Sequence, residues 1–129
     1  KECNLSQVAE VAKLCGDDLI IYSGDDNAVL PMLALGGKGV ISVMANIIPS
    51  DTHQLVAKFM EGDIAGSRKI QLDTLELINA LFIEINPVPV KTAMRLMGFD
   101  VGPCRMPLVE MEERNLEVLK KALKNYGLI

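Results

Sequence analysis

Between Leu19 and Met44 the chain reads LIIYSGDDNAVLPMLALGGKGVISVM, and no other stretch limits the possible folds as much. Two short apolar runs, Leu19-Ile20-Ile21-Tyr22 and Val40-Ile41-Ser42-Val43-Met44, show no alternation of polar and apolar residues. An alternating strand has one wet face, so these runs predict strands covered on both faces, as parallel strands are. The residues between them supply a loop, Ser23-Gly24-Asp25-Asp26-Asn27, and a helix-compatible segment from Ala28 to Leu35 that Gly36-Gly37 closes. The pattern predicts a βαβ unit in an α/β fold, with strands over 19–23 and 40–44 and a right-handed crossover.

The remainder is helical. Asn4 can cap a first helix, with Gln7 placed to complete a capping box, and Leu5, Val8, Ala9, Ala12 and Cys15 share one face up to Gly16. After the second strand, Pro49-Ser50-Asp51 opens a helix with Leu55, Val56, Phe59 and Met60 inward, and Gly62 ends it. A long helix is expected from Asp63 to about Ile85, with Leu72, Leu75, Ile78, Phe82 and Ile85 on its buried side. The turn Asn86-Pro87-Val88-Pro89 stops it, because the residue before a proline avoids the helical region. Pro89 then suits the first turn of a helix that buries Val90, Ala93, Met94 and Met97 and closes at Gly98. Residues 99–109 read as irregular, and a last helix over 111–126 buries Leu116, Leu119, Ala122 and Leu123 before Gly127. The strands stop before Gly62, so the expected division is 1–62 and 63–129.

Composition excludes several classes. Half of the 129 residues are hydrophobic, which predicts a packed core in one domain-sized chain. A net charge of −4 with both signs scattered gives no basic face for nucleic acid. No apolar run approaches the ~20 residues of a membrane span. Cys3, Cys15 and Cys104 form no CxxC pair and read as free thiols in a reducing compartment. His53 has no partners at ligand spacing, so no metal site is expected. Two parallel strands make a poor sheet by themselves, and the chain opens at Lys1; together these predict a piece of a larger protein.

The loop at 23–27 follows a strand and precedes a helix, which is the side where α/β proteins carry their chemistry. Its residues also suit a turn and an N-cap, and spacing alone favours that reading. Gly36-Gly37-Lys38-Gly39 looks like a phosphate loop, but it closes a helix and precedes a strand, so a helix stop is expected. Asp25 and Asp26 are neighbours whose side chains point apart, which disfavours a shared proton. Lys1 remains; a partly desolvated lysine can form a Schiff base with a keto acid, although one lysine at a chain start does not identify that chemistry.

Four motifs change the weight of these readings. Lys1-Glu2-Cys3, Tyr22-Ser23-Gly24-Asp25-Asp26, Gly37-Lys38-Gly39-Val40-Ile41-Ser42-Val43 and Asn86-Pro87-Val88-Pro89-Val90-Lys91 occur in this order across essentially the whole chain. The set resembles the C-terminal part of the dihydrodipicolinate synthase family, pyruvate-dependent class I aldolases. The resemblance implies the seventh and eighth strands of a (β/α)₈ TIM barrel, with Lys1 ending the sixth, followed by a three-helix C-terminal extension. It implies condensation of pyruvate with L-aspartate 4-semialdehyde in lysine and diaminopimelate biosynthesis, with no cofactor and no metal.

In that resemblance Lys1 is the catalytic Schiff-base lysine, and Gly24 and Ile41 line the pyruvate pocket, Ile41 largely through its backbone. Cys3 replaces a residue that is usually Ala. The family's proton-relay tyrosine and threonine and its carboxylate-binding arginine fall earlier in its chain, and neither Tyr22 nor Tyr126 matches the relay. The expectations that follow are an inactive 129-residue chain and a cytoplasmic, homotetrameric parent with no nucleic-acid or membrane partner. They include a subunit contact near Leu33-Ala34-Leu35. Sialic acid lyase and keto-deoxy-sugar aldolases are the enzyme alternatives, and a non-catalytic oligomerisation module is the other.

Overall fold

The computed structural model describes residues 4–129. Helix α1 (Leu5–Cys15) starts where the Asn4 side chain accepts the N–H groups of Ser6 and Gln7 at 3.1 and 3.2 Å. Of the face expected to turn inward, Val8, Ala12 and Cys15 are half-buried and Leu5 and Ala9 are exposed, and no residue of α1 is fully covered. Strand β1 (Tyr22–Ser23) pairs in parallel with β2 (Gly39–Val40), Tyr22 facing Gly39 and Ser23 facing Val40. The crossover is a 3₁₀ turn, Asp26–Ala28, followed by α2 (Val29–Ala34). Gly36, at φ 96°, turns the chain out of that helix, and a Cβ on Gly37 would sit 2.8 Å from the Met32 carbonyl. The glycine run is therefore the helix stop its position predicted.

The strands are two residues long, not five, and their apolar flanks are not covered. Leu19, Ile20, Tyr22 and Ile41 are 49, 66, 53 and 74 % exposed. Helix α2 packs against both strands, but a two-member sheet gives each strand one paired edge. The runs read as doubly covered need further neighbours that the described residues do not supply.

Helix α3 (Pro49–Met60) begins with Pro49 at its first position and buries Thr52 and Leu55; Met60, expected inward, is 51 % exposed. The single helix expected over 63–85 is two, α4 (Ile64–Asp73) and α5 (Leu75–Leu81). Thr74 lies at the break, and its hydroxyl donates to the carbonyls of Ile70 and Gln71 at 2.8 and 3.2 Å. Such back-bonding by a β-branched residue bends a helix. The bend also changes the buried face. Ser67, Gln71, Thr74, Leu77, Ile78 and Leu81 turn inward, while Leu72, Leu75 and Ile85, expected to be buried, are exposed. Helices α6 (Val88–Leu96) and α7 (Glu113–Tyr126) follow, so the extension has four helical segments where three were expected. Gly127, at φ 83°, closes α7 in the left-handed region.

One hydrophobic cluster joins these parts. Val29 and Leu33 of α2, Met44, Ile47 and Ile48 after β2, and Leu55 of α3 pack with the buried residues of α5, α6 and α7. Each fully buried Leu or Ile side chain contributes about 1.5–3 kcal/mol relative to exposure. Polar ties fix the helix order. Ser67 Oγ donates to the Leu55 carbonyl at 2.7 Å, joining α4 to α3, and Tyr126 Oη donates to Asp51 Oδ2 at 2.7 Å, joining α7 to α3. Among the described residues no helix is long and apolar enough to cross a membrane.

Candidate active site

The loops after β1 and β2 lie side by side, because the strands are parallel and in register. The Ile41 N–H donates to the Ser23 carbonyl at 2.8 Å, which carries the ladder one step past the strands. Gly24 and Ile41 are therefore the first residues beyond two adjacent strand ends. A Cβ added to Gly24 would meet nothing within 4 Å, so open space lies beside its backbone. The Ile41 side chain is 74 % exposed. Lys1, the third predicted site residue, lies outside the described residues, as does Cys3.

Both loops are held rigidly from behind. Ser23 Oγ donates to the Asp25 carbonyl at 2.7 Å and accepts its N–H at 3.2 Å, folding the Ser-Gly-Asp segment on itself. Asp25 caps the following turn, its Oδ1 accepting the Asn27 N–H at 2.9 Å, as the turn-and-cap reading expects. Asp26 faces the other way. It is 1 % exposed, and its Oδ2 accepts the N–H groups of Val43 and Met44, each at 3.0 Å. Ser42 Oγ accepts the Ala45 N–H at 2.9 Å. Three consecutive amides after β2 are thus satisfied by side chains, two of them from across the crossover. The adjacent carboxylates have separate partners and face different ways.

Gln71 of α4 completes the support. Its Nε2 donates to the Asp26 carbonyl at 2.9 Å, and its Oε1 accepts the Leu30 N–H at 3.2 Å. No motif or spacing points directly to this role for Asp26 or Gln71. One signal was present: Ser67, Gln71 and Thr74 set polar groups on one helical face at i, i+4 and i+7. A polar face that is also buried must find partners, and here two of the three reach outside their own helix.

Two clefts open elsewhere. One, of about 330 Å³, lies beside β1, β2 and α3 and is bordered by Tyr22, Val40, Thr52 and the exposed His53. The other, of about 310 Å³, lies between α6 and the irregular segment, with Arg95, Cys104 and Glu110 at its wall. Neither is lined by Gly24 or Ile41. Arg95 and Glu110 pair at 2.6 Å; the pairing raises the guanidinium pKa and holds the Glu110 carboxyl below its ordinary range. Cys15 and Cys104 are free thiols, and no group of three His, Cys, Asp or Glu side chains among the described residues is arranged to hold a metal ion.

Parallel strands joined by a helical crossover, with a loop pair at their carboxyl ends and helices beyond, define a β/α unit of the kind that builds its sites at that end. Known proteins make the assignment specific. The profile of the Dihydrodipicolinate synthetase family matches residues 1–126, and the chain belongs to that family. It is 62 % identical over 129 residues to the 4-hydroxy-tetrahydrodipicolinate synthase of Acetivibrio thermocellus, covering all of this chain and 44 % of that protein. Against the enzyme of the same name from Clostridium perfringens it is 56 % identical over 126 residues, 98 % of this chain and 43 % of that one. The dihydrodipicolinate synthase structure from Aquifex aeolicus superposes with a TM-score of 0.93 at 41 % identity, covering 99 % of this chain and 44 % of that chain. That from Thermotoga maritima gives 0.92 at 36 % identity, with 99 and 44 % covered. The chain thus spans less than half the length of these relatives, and its fold is the C-terminal part of a TIM barrel with its helical extension.

Proposed function

We propose that this chain is the C-terminal part of a lyase that condenses pyruvate with L-aspartate 4-semialdehyde to give 4-hydroxy-tetrahydrodipicolinate, in lysine and diaminopimelate biosynthesis. The observation that carries the reading is identity of 62 % along the whole chain with a relative of that name. The Lys1 amine would add to the pyruvate carbonyl and lose water, forming a protonated imine. That imine is an electron sink: a proton leaves the methyl carbon, and the resulting enamine attacks the aldehyde carbon of the second substrate. Gly24 leaves room for the keto acid, and the backbone at Ile41 lines the pocket beside it. Adjacent positions at two strand ends support those roles.

The division at Gly62 belongs to the same reading, with 1–62 serving the barrel and 63–129 forming the helical domain. So do a cytoplasmic location and a homotetrameric parent. Leu35 and Ala34 are exposed and suit a subunit contact, whereas Leu33 is 4 % exposed and belongs to the core. The 129-residue chain alone is inactive in this account. The test is turnover by the complete protein with pyruvate and either aspartate semialdehyde or a sugar aldehyde. Product with the first acceptor and not the second supports the synthase; the reverse assigns the chain to the sugar-aldolase branch.

A further inference from the structure

We propose that Asp26 and Gln71 form one bracket that sets the backbone of residues 41–44 against Gly24, making α4 a positioning element for the keto-acid pocket. The inference rests on the pyruvate-lyase reading. Asp26 Oδ2 grips two successive amides, Val43 and Met44, at 3.0 Å each, and these lie two and three residues past Ile41. The Asp26 backbone is in turn gripped by Gln71 Nε2 at 2.9 Å, while Gln71 Oε1 takes the Leu30 N–H at 3.2 Å. The path therefore runs from α4, through the loop after β1, to the loop after β2. Both side chains are buried, at 1 and 7 % exposure, so water does not readily substitute for either.

The placement of the charge is informative. A buried carboxylate is costly unless it is well partnered. Asp26 uses one oxygen for both amides, while Oδ1 is buried without a partner among the described residues. An apolar residue at position 26 would avoid that cost but would leave two amide donors unmet. Asp26 thus gives up full satisfaction of its own group in order to fix two donors of the neighbouring loop. Both open the turn Met44–Asn46, whose first amides have no carbonyl partner within the turn. Gln71 is neutral, and its amide can donate and accept at once: Nε2 holds the Asp26 carbonyl in the turn after β1, and Oε1 holds the Leu30 N–H in α2.

The bracket makes a kinetic prediction that a purely structural role does not. Loss of folded protein lowers the amount of active enzyme and leaves KM unchanged; a displaced pocket wall raises KM for pyruvate. In the complete protein, Gln71→Leu and Asp26→Ala raise KM for pyruvate by ~10-fold or more, since small misplacements at a site are costly. Asp26→Asn can still present one oxygen to both amides and stays much closer to wild type than Asp26→Ala. Ser67→Ala, on the same helix, removes the buried bond to the Leu55 carbonyl and leaves KM unchanged. Hydrogen exchange at the Val43 and Met44 amides supplies a readout that needs no turnover: it accelerates in Gln71→Leu and Asp26→Ala and not in Ser67→Ala. Unchanged KM, unchanged exchange, or an Asp26→Asn variant as impaired as Asp26→Ala overturns the bracket. Failure of wild type to bind pyruvate covalently defeats the lyase reading instead, and the exchange rates then still decide the bracket.

Discussion

In α5 and α7 the side chains of Leu77, Leu81, Leu119 and Leu123 are at most 1 % exposed, whereas beside β1 and β2 Leu19, Ile20 and Ile41 are 49, 66 and 74 % exposed. Both regions carry large apolar side chains, and only those of the helices are fully buried within the chain. The helices bury their faces on one another, and amphipathic helices can do that with few elements. Parallel strands cannot: their sheets need several members and cover on both faces. The contrast marks the strand region as a surface made to be covered, and the helical region as the source of the chain's own stability.

Four substitutions probe this contrast, in falling order of effect. Leu119→Ala, in the fully buried seam of α7, destabilises the chain by about 2–5 kcal/mol in chemical denaturation, because a cavity remains where the side chain was. A loss below 1 kcal/mol would mean that the bundle is not the stable part. Tyr126→Phe removes the bond to Asp51 and costs at most about 1 kcal/mol, reduced by its partial exposure. Burial first, and the Asp51 hydrogen bond second, raise the Tyr126 pKa above its ordinary 10.0. The protonated hydroxyl therefore adds stability that is complete below that value and is lost as pH rises through the raised one. Alkaline titration of stability should show this fall in wild type and lose it in Tyr126→Phe.

The third change is smaller. The Lys58 ammonium, 2.9 Å away, and the Gly66 N–H lower the Asp63 pKa, and Asp63 also caps α4. Its contribution is present above the ordinary carboxylate range and is lost as pH falls through the depressed value. Asp63→Asn should flatten that acid limb slightly in thermal melts. Smallest of all, Ile41→Ser should change the isolated chain's stability by no more than about 0.5 kcal/mol, since its side chain is already in water. A large loss there would remove the contrast between the two regions.

Where local chemistry decides, the sequence was a good guide. The cap at Asn4, the stop at Gly36-Gly37, the proline start of α3 and the end of α7 at Gly127 all lie where residue type places them. The parallel pairing was legible from two apolar runs and a crossover, whereas Gly24 and Ile41 were singled out by the resemblance alone, and Ile41, read inside a strand over 40–44, lies just past the end of β2. Strand length was not, because ladders grow from neighbours that periodicity cannot display. The break at Thr74 was missed since Leu72, Leu75 and Ile85 keep helical spacing on a face that stays in water. Asp26 and Gln71 were missed for a related reason: their partners lie 17, 18 and 45 residues away from Asp26 along the chain.

Reduction with borohydride in the presence of labelled pyruvate, followed by peptide mapping of the complete protein, tests the central claim most directly. The account predicts a single reduced adduct on the peptide carrying Lys1. No adduct, or an adduct on Lys38, Lys58 or Lys91 with Lys1 unmodified, would contradict it.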